Sequence, residues 1–318
     1  MKRFRSAALC LLFFAASVGA QESYPGKPVR IIVGYSAGGG NDLIVRVMAP
    51  RLSEGLGQPV IIENKPGAQA IIACEYVAKA SPDGYTILMG PTGPMAMNPA
   101  TYSKLPYSPQ RDFAPISQIG QFPLIVAVGA SLPVRSVKEL IEYAKANPAK
   151  VNYAASAAAF QIATELFKQK TGTDFVHIPY KGSGESVQAV IAGQVTMTIV
   201  DPPPVSGPLR AGTARGLAIT SAQRHPSWPD LPTLAEEGID VEVGLWTAFF
   251  APARTPPAIV ARLQKEVARV VRLPDVREGL ARLGVDPVGG SPEELGRVLA
   301  HDIEKWTAVA RAANIRND

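Results

Sequence analysis

Two segments of this chain, residues 29–89 and 151–200, repeat one order of features: apolar strand, turn of tiny residues, amphipathic helix, second strand, lysine-bearing turn, helix, third strand. Such a repeat restricts the fold to two similar α/β units, because alternating strands and helices pair their strands in parallel with right-handed crossovers. The tiny-residue turns are Ser36-Ala37-Gly38-Gly39-Gly40-Asn41 and Ala155-Ser156-Ala157-Ala158-Ala159. Each stands where a helix begins, so its backbone N–H groups point outward at an approaching anion. Turns nearly devoid of reactive side chains grip a ligand rather than transform it. The expected architecture is α/β and two-lobed, each lobe a mainly parallel sheet flanked by helices, with a ligand cleft between.

At 318 residues, 47% hydrophobic and 19% charged, the chain has material for two ordinary lobes. Its start is not part of them. Lys2, Arg3 and Arg5 precede an apolar run over 7–18 that ends in Val18-Gly19-Ala20, the pattern of a secretory signal peptide cleaved near Ala20 and an expectation of export. The run is shorter than the roughly 20 residues a membrane span requires. Cys10 lies inside it rather than after it, which argues against a lipid anchor. Cleavage removes three of 32 basic residues and none of 27 acidic ones, so 29 against 27 leaves a net charge of +2 instead of +5. A nearly neutral chain without a Lys/Arg run is not built for nucleic acid. Cys74 then has no partner for a disulfide and reads as a small buried side chain on a helix.

In the first module the sequence predicts strands over 29–33, 60–63 and 85–89, a helix with Ile44, Val47, Met48 and Leu52 on one face, and a second helix over 71–80. Pro106, Pro109 and Pro115 punctuate the next stretch, and an apolar strand at 124–128 marks the crossing into the second lobe. There the pattern gives strands over 151–154, 175–178 and 195–200, and helices over 160–170 and 185–192, the latter ended by Gly193. Asp201-Pro202-Pro203-Pro204 is expected to be stiff and extended, a lip or hinge, since consecutive prolines favour polyproline geometry. Strands over 214–219 and 243–251 come next, then helices near 258–271, 276–283 and 292–313 that cover the first lobe. The expected division is a signal peptide at 1–20, one lobe from 21–123 plus 247–318, and the other from 124–246.

Gly34-Tyr35-Ser36-Ala37-Gly38 matches the G-x-S-x-G nucleophile elbow, and a secreted serine hydrolase using Ser36 is the competing reading. That serine follows the first strand of the mature chain, with no earlier strand and loop to supply the second oxyanion donor. Gly38-Gly39-Gly40 with Glu63 at the next strand's end is also like a dinucleotide-binding turn, but Leu43 occupies the third glycine position. His177, His225 and His301 are scattered, and no Cys/His cluster has metal-ligand spacing. Neither catalysis, metal nor cofactor is expected.

What remains is a pair of helix N-termini, each worth about half a positive charge, for which a small organic carboxylate is the natural guest. The expected ligand-binding residues are Ser36, Ala37, Gly38, Gly39, Asn41 and Asp42 in the first turn, Thr92 after the third strand, Ala155, Ser156, Ala157 and Ala158 in the second turn, and Asp201. Asp42 has an equal claim as a helix cap, since pointed into the cleft it would repel an anion. Lys65 and Lys181 occupy equivalent turns and are available to a second carboxylate, or simply solvated. Phe160, Gln161 and Trp246 line a pocket or belong to the core.

Short motifs spread over nearly the whole mature chain carry a resemblance. They include Tyr24-Pro25-Gly26-Lys27-Pro28-Val29-Arg30, Ala37-Gly38-Gly39 with Asp42 and Arg46, Leu56-Gly57-Gln58-Pro59-Val60, and Glu63-Asn64-Lys65-Pro66-Gly67-Ala68. Further on stand Pro82-Asp83-Gly84-Tyr85-Thr86, Ile178-Pro179-Tyr180-Lys181-Gly182, and Pro229-Asp230-Leu231-Pro232-Thr233 with Glu236 and Gly238. In this order they resemble the periplasmic substrate-binding proteins of tripartite tricarboxylate transporters, the Bug receptors. The resemblance implies a Venus-flytrap receptor that delivers a small carboxylate to membrane permease subunits, or in some members serves a sensor protein; the chain is expected to be a monomer. It also implies that residues 36–42 and 155–158 face each other across one ligand carboxylate. Two departures from the family pattern are visible: Ala157-Ala158-Ala159 in place of a glycine-richer turn, and Gly34 in place of a proline.

Overall fold

The computed structural model describes residues 24–148, 150–312 and 315–316; the proposed signal peptide lies outside them. The chain begins β1 (Val29–Val33), α1 (Gly40–Leu56), β2 (Val60–Asn64), α2 (Ile71–Ala78) and β3 (Thr86–Pro91). After a π-helical turn at Gly93–Met97 come the short α3 (Asn98–Thr101) and α4 (Pro109–Asp112), then β4 (Phe113–Pro123) and β5 (Ile125–Gly129). The middle holds α5 (Val137–Ala146), β6 (Asn152–Ala155), α6 (Ala158–Thr171), β7 (Val176–Pro179), α7 (Ser183–Ile191), β8 (Met197–Val200), α8 (Pro202–Ala211) and β9 (Ala214–Ile219). The chain closes with β10 (Gly244–Pro252), α9 (Pro257–Val271), α10 (Pro274–Arg282), β11 (Asp286–Pro287) and α11 (Pro292–Ala312).

These strands form two sheets, ordered β11-β4-β10-β3-β1-β2 and β7-β6-β8-β5-β9. The repeat seen in the sequence is therefore a repeat in space. In one sheet β1 pairs in parallel with β2 and β3; in the other β6 pairs in parallel with β7 and β8. Beyond that parallel half, each sheet continues antiparallel, with β10 and β4 in the first and β5 and β9 in the second. All five residues of β5 are buried, as a strand covered on both faces must be, and β1 keeps only Arg30 partly exposed.

The chain passes between sheets at two places. β4 ends at Pro123 in the first sheet and β5 starts at Ile125 in the second. It returns at Gly244, because β10 pairs with Pro123 from that residue onward, three positions before the 247 boundary expected from the sequence. Thr220 fastens this double crossing: its hydroxyl donates to the Val243 carbonyl at 2.6 Å and accepts from the Leu124 N–H at 2.8 Å.

Three details differ from expectation. Each sheet is parallel only over three strands and antiparallel beyond them, where a mainly parallel sheet is expected. The Pro-rich stretch before residue 124 contains the 11-residue strand β4. The Pro202-Pro203-Pro204 run opens α8 instead of lying extended, because the first helical positions have no acceptor for an N–H and proline loses nothing there. The C-terminal helices behave as expected: α9 packs on β4 and α1, α10 on α1, and α11 on β4, α3 and the turn at Gly93–Met97.

Candidate functional site

The two sheets meet at the turns that begin α1, α6 and α7. Gly39 caps α1 and Ala157 caps α6, both with extended backbone and no side-chain cap, so small residues leave the helix ends open to approach. The first turn is nevertheless tied to the opposite sheet. The Ser36 N–H donates to the Lys181 carbonyl at 3.3 Å, and the Gly40 N–H donates to the Ser183 hydroxyl at 3.1 Å. Gly184 approaches so closely that a β-carbon there would lie 2.7 Å from the Gly38 carbonyl oxygen. Two further N–H groups are used locally: Gly38 donates to Asp42 at 2.9 Å and Gly39 to the Ser36 carbonyl at 3.2 Å.

Asp42 is turned away from the cleft. Its buried carboxylate accepts from Gly38, from Arg46 Nε at 2.8 Å and from Asn64 Nδ2 at 3.1 Å. Burial works against the charge, but those hydrogen bonds outweigh it and hold the pKa below the ordinary aspartate value. Asp42 thus cements the turn. Thr92 is equally committed, donating to the Trp246 carbonyl at 3.0 Å and accepting from the Trp246 N–H at 2.8 Å. The Asn41 side chain accepts from Thr247 at 3.0 Å.

The second turn is different. Within it the Phe160 and Gln161 N–H groups both bond the Ala157 carbonyl at 3.1 Å, while the Ser156 hydroxyl is buried with no hydrogen-bond partner. On the border of the same space Asp201, 2% exposed, has its Oδ1 likewise without a partner. Buried polar atoms are rarely left so, and these two border one space. That space is a narrow inner cavity of ≈ 20 Å³ bordered by Tyr35, Gly40, Ser156, Ser183, Asp201 and Trp246. It shares Tyr35, Ser156 and Ala157 with an outer cavity of ≈ 260 Å³ that reaches Gln69, His177, Tyr180 and Lys181.

Of the residues expected from the sequence, Asn41, Thr92, Ser156, Ala157 and Asp201 border the inner cavity and Ala155 the outer one. Ser36, Gly38 and Gly39 lie at the seam with residues 181–184, and Ala158 is buried at the start of α6. Phe160 and Trp246 also border the inner cavity. Lys181 lines the outer one, whereas Lys65 lies over the Tyr76 ring at 4.4 Å and beside Glu63 at 3.9 Å. Two contributors were missed. Ser183 follows Lys181-Gly182 at a helix start, the same small-residue signature that revealed the other turns. Gln69 reaches across the cleft, its Nε2 donating to Gln161 Oε1 at 3.3 Å. It sits in a rare run of left-handed residues, Ala68, Gln69 and Ala70, with φ of 46°, 51° and 68°; such strain is typical of ligand clamps.

The hydrolase pattern finds no support in the geometry. Among the described residues no histidine is hydrogen-bonded to Ser36, and His225 is engaged with Asp286 and the Ser227 N–H. No group of three or more His, Cys, Asp or Glu among the described residues is placed to hold a metal. A wider depression of ≈ 700 Å³ between Lys27, Arg30, Glu75 and Lys79 lies outside the cleft, and its charges pair with neighbouring side chains.

Two α/β lobes joined by two crossings, with helix N-termini facing a cleft, define a two-lobed periplasmic binding protein. A model of the tripartite tricarboxylate transporter family receptor matches residues 44–315, and this chain belongs to that family of periplasmic solute receptors. It is 36% identical over 301 residues to protein BugT of Bordetella pertussis, covering 93% of this chain and 92% of that one. An R. palustris protein solved with adipate superposes with a TM-score of 0.89 at 38% identity, covering 92% of this chain and 99% of that one. The periplasmic binding protein BugD gives 0.90 at 30% identity, with 93% and 100% covered. No helix among the described residues is long and apolar enough to cross a membrane.

Proposed function

We propose that this chain is a receptor for a small organic carboxylate, held at the N-terminus of α6 and delivered to the membrane permease of a tripartite tricarboxylate transporter. The observation that carries this reading is the Ser156 hydroxyl, buried and unpartnered at the head of a 14-residue helix. A carboxylate there accepts from Ser156 and from the helix end, whose dipole favours negative charge. The rest of the ligand extends into the outer cavity toward Gln69, His177 and Lys181. The inner cavity alone is too small for an acid of several carbons, so entry requires the lobes to part about the crossings at 123–125 and 243–244. The working lobes are then residues 24–123 with 244–312, and residues 124–243. The leader at 1–20 is consistent with export to the periplasm, and the adipate-bound neighbour is consistent with an acidic guest.

No catalytic step is assigned to the inner cavity, whose unpartnered groups among the described residues are one hydroxyl and one carboxyl. The test is a thermal-shift screen of residues 21–318, unfolded and refolded to strip carried-over ligand, against mono-, di- and tricarboxylates. Saturation at about 100 times Kd adds about 2.7 kcal/mol, a shift on the order of 5 °C. A response to one class of acid that falls at least about tenfold in affinity in Ser156→Ala supports the reading; silence across the panel from refolded protein overturns it.

A further inference from the structure

Asp201 is an acid in a site read as an acid's receptor. It follows β8 and caps α8, and its Oδ2 packs against Gly40, the first residue of α1, so tightly that a β-carbon at Gly40 would overlap it. The groups around it come from every neighbouring element: the Ser183 hydroxyl from α7, the Tyr35 phenol after β1, Ser156 before α6, Thr92 after β3 and Trp246 in β10. None of these carries a positive charge. Asp42 in α1 is the other nearby acid, and it has its own cation, Arg46. His177 and Lys181 border the outer cavity rather than the inner one. Burial without a counter-ion pushes the Asp201 carboxyl up to about 7, opposed only by hydrogen bonds from Ser183 and its own backbone.

A ligand carboxylate seated beside Ser156 brings a second acid into this cation-free space. Two carboxylates sharing a buried site cannot both stay ionised, and a single proton between them turns repulsion into a hydrogen bond. We infer that Asp201 binds the ligand in its protonated form: closure loads one proton from solvent onto Asp201, whose O–H then donates to the ligand carboxylate. The step leaves the ligand an anion, gives the unpartnered Asp201 oxygen a partner and makes the receptor carry acid and proton together. It rests on the carboxylate reading above.

The sign of the pH effect comes from the direction of the shift. With the lobes parted Asp201 is hydrated and titrates near the ordinary value of about 3.9; in the closed, loaded cleft its pKa is raised. Between those two values proton uptake accompanies binding, and affinity falls about tenfold for each unit that pH rises. Below the lower value the coupling disappears.

Calorimetry on the stripped mature protein tests this, using the tightest binder among succinate, malate, aspartate, adipate and benzoate. At about pH 6.5, two buffers of different ionisation enthalpy are expected to report close to one proton taken up per ligand. Asp201→Asn keeps the shape and a donor but cannot titrate, so uptake should vanish and Kd should stay flat between about pH 5.5 and 7.5. Binding by the wild type without proton uptake overturns the inference, as does uptake that survives in Asp201→Asn. Tight binding of aspartate alone, without uptake, also overturns it, since the ligand's ammonium would then neutralise Asp201. If no acid in the panel binds, the carboxylate reading itself fails, a result distinct from binding without a proton. Should Asp201→Asn not fold, the buffer pair on the wild type decides alone.

Discussion

Gly40 and Asp201 meet across the cleft with no space for one more carbon atom: the hydrogen that glycine carries in place of a side chain is what lets the carboxyl rest on the first turn of α1. Gly40 has no left-handed φ, so alanine is acceptable to its backbone and to its helix. Gly40→Ala is therefore expected to leave stability within about 1 kcal/mol while obstructing closure. A clash costing about 1–3 kcal/mol weakens ligand binding by about 5- to 150-fold. Urea unfolding and binding isotherms on the same preparation separate the two effects.

Thr92 joins the end of β3 to β10 by hydrogen bonds in both directions with the Trp246 backbone. Valine matches its shape and removes both partners, leaving a buried N–H and carbonyl unsatisfied. Thr92→Val is expected to lower the unfolding free energy by about 1–3 kcal/mol, read from the denaturant midpoint at unchanged slope.

Asp42 makes the first turn dependent on its charge. Its pKa is lowered in the folded state, so it contributes stability above its unfolded pKa that is lost as pH falls through the folded one. Asp42→Asn is expected to be less stable than the wild type at neutral pH, the gap closing as pH drops below the ordinary aspartate range near about 3.9. Thermal melts of both proteins across that range check the convergence.

Cys74 on α2 is fully buried in the core, and burial pushes its thiol up to about 12. It is expected to resist a thiol reagent in the native protein and to react stoichiometrically on unfolding. Labelling measured against denaturant should then coincide with loss of structure; rapid labelling of the native state would contradict the packing of α2.

The repeated modules were legible because parallel strands covered on both faces must be nearly apolar throughout, and Val29–Val33 and Met197–Val200 each carry a single polar residue, Arg30 and Thr198. β4 was not, because Gln118, Gln121 and Pro115 interrupt the apolar pattern. Pro115 is tolerated because it pairs with Phe250 at a register shift, where a missing N–H breaks no regular ladder. At the site, Ser156 and Asp201 were in view from the chain alone, while the fates of Asp42 and Thr92 were not. A hydroxyl or carboxylate beside a helix end looks the same in sequence whether it faces a ligand or a backbone group 154 residues away, as Thr92 does. Ser183 and Gly40 are separated by 143 residues and meet only once both lobes exist.

The order of strands also sets an order of assembly. The second sheet is complete within one continuous stretch, β5 to β9, so every strand it needs is present once residue 219 has been made. The first sheet draws on both ends of the sequence: β10 lies between β3 and β4, and it is made more than 150 residues after β3. Until that strand arrives, the facing edges of β3 and β4 are open to any other extended chain. A chain grown to residue 219 therefore holds every strand of one lobe while the facing edges of β3 and β4 still lack the strand between them, and it is the earliest part of the chain, bearing the turn that ends in Gly40, that must wait longest for its shape.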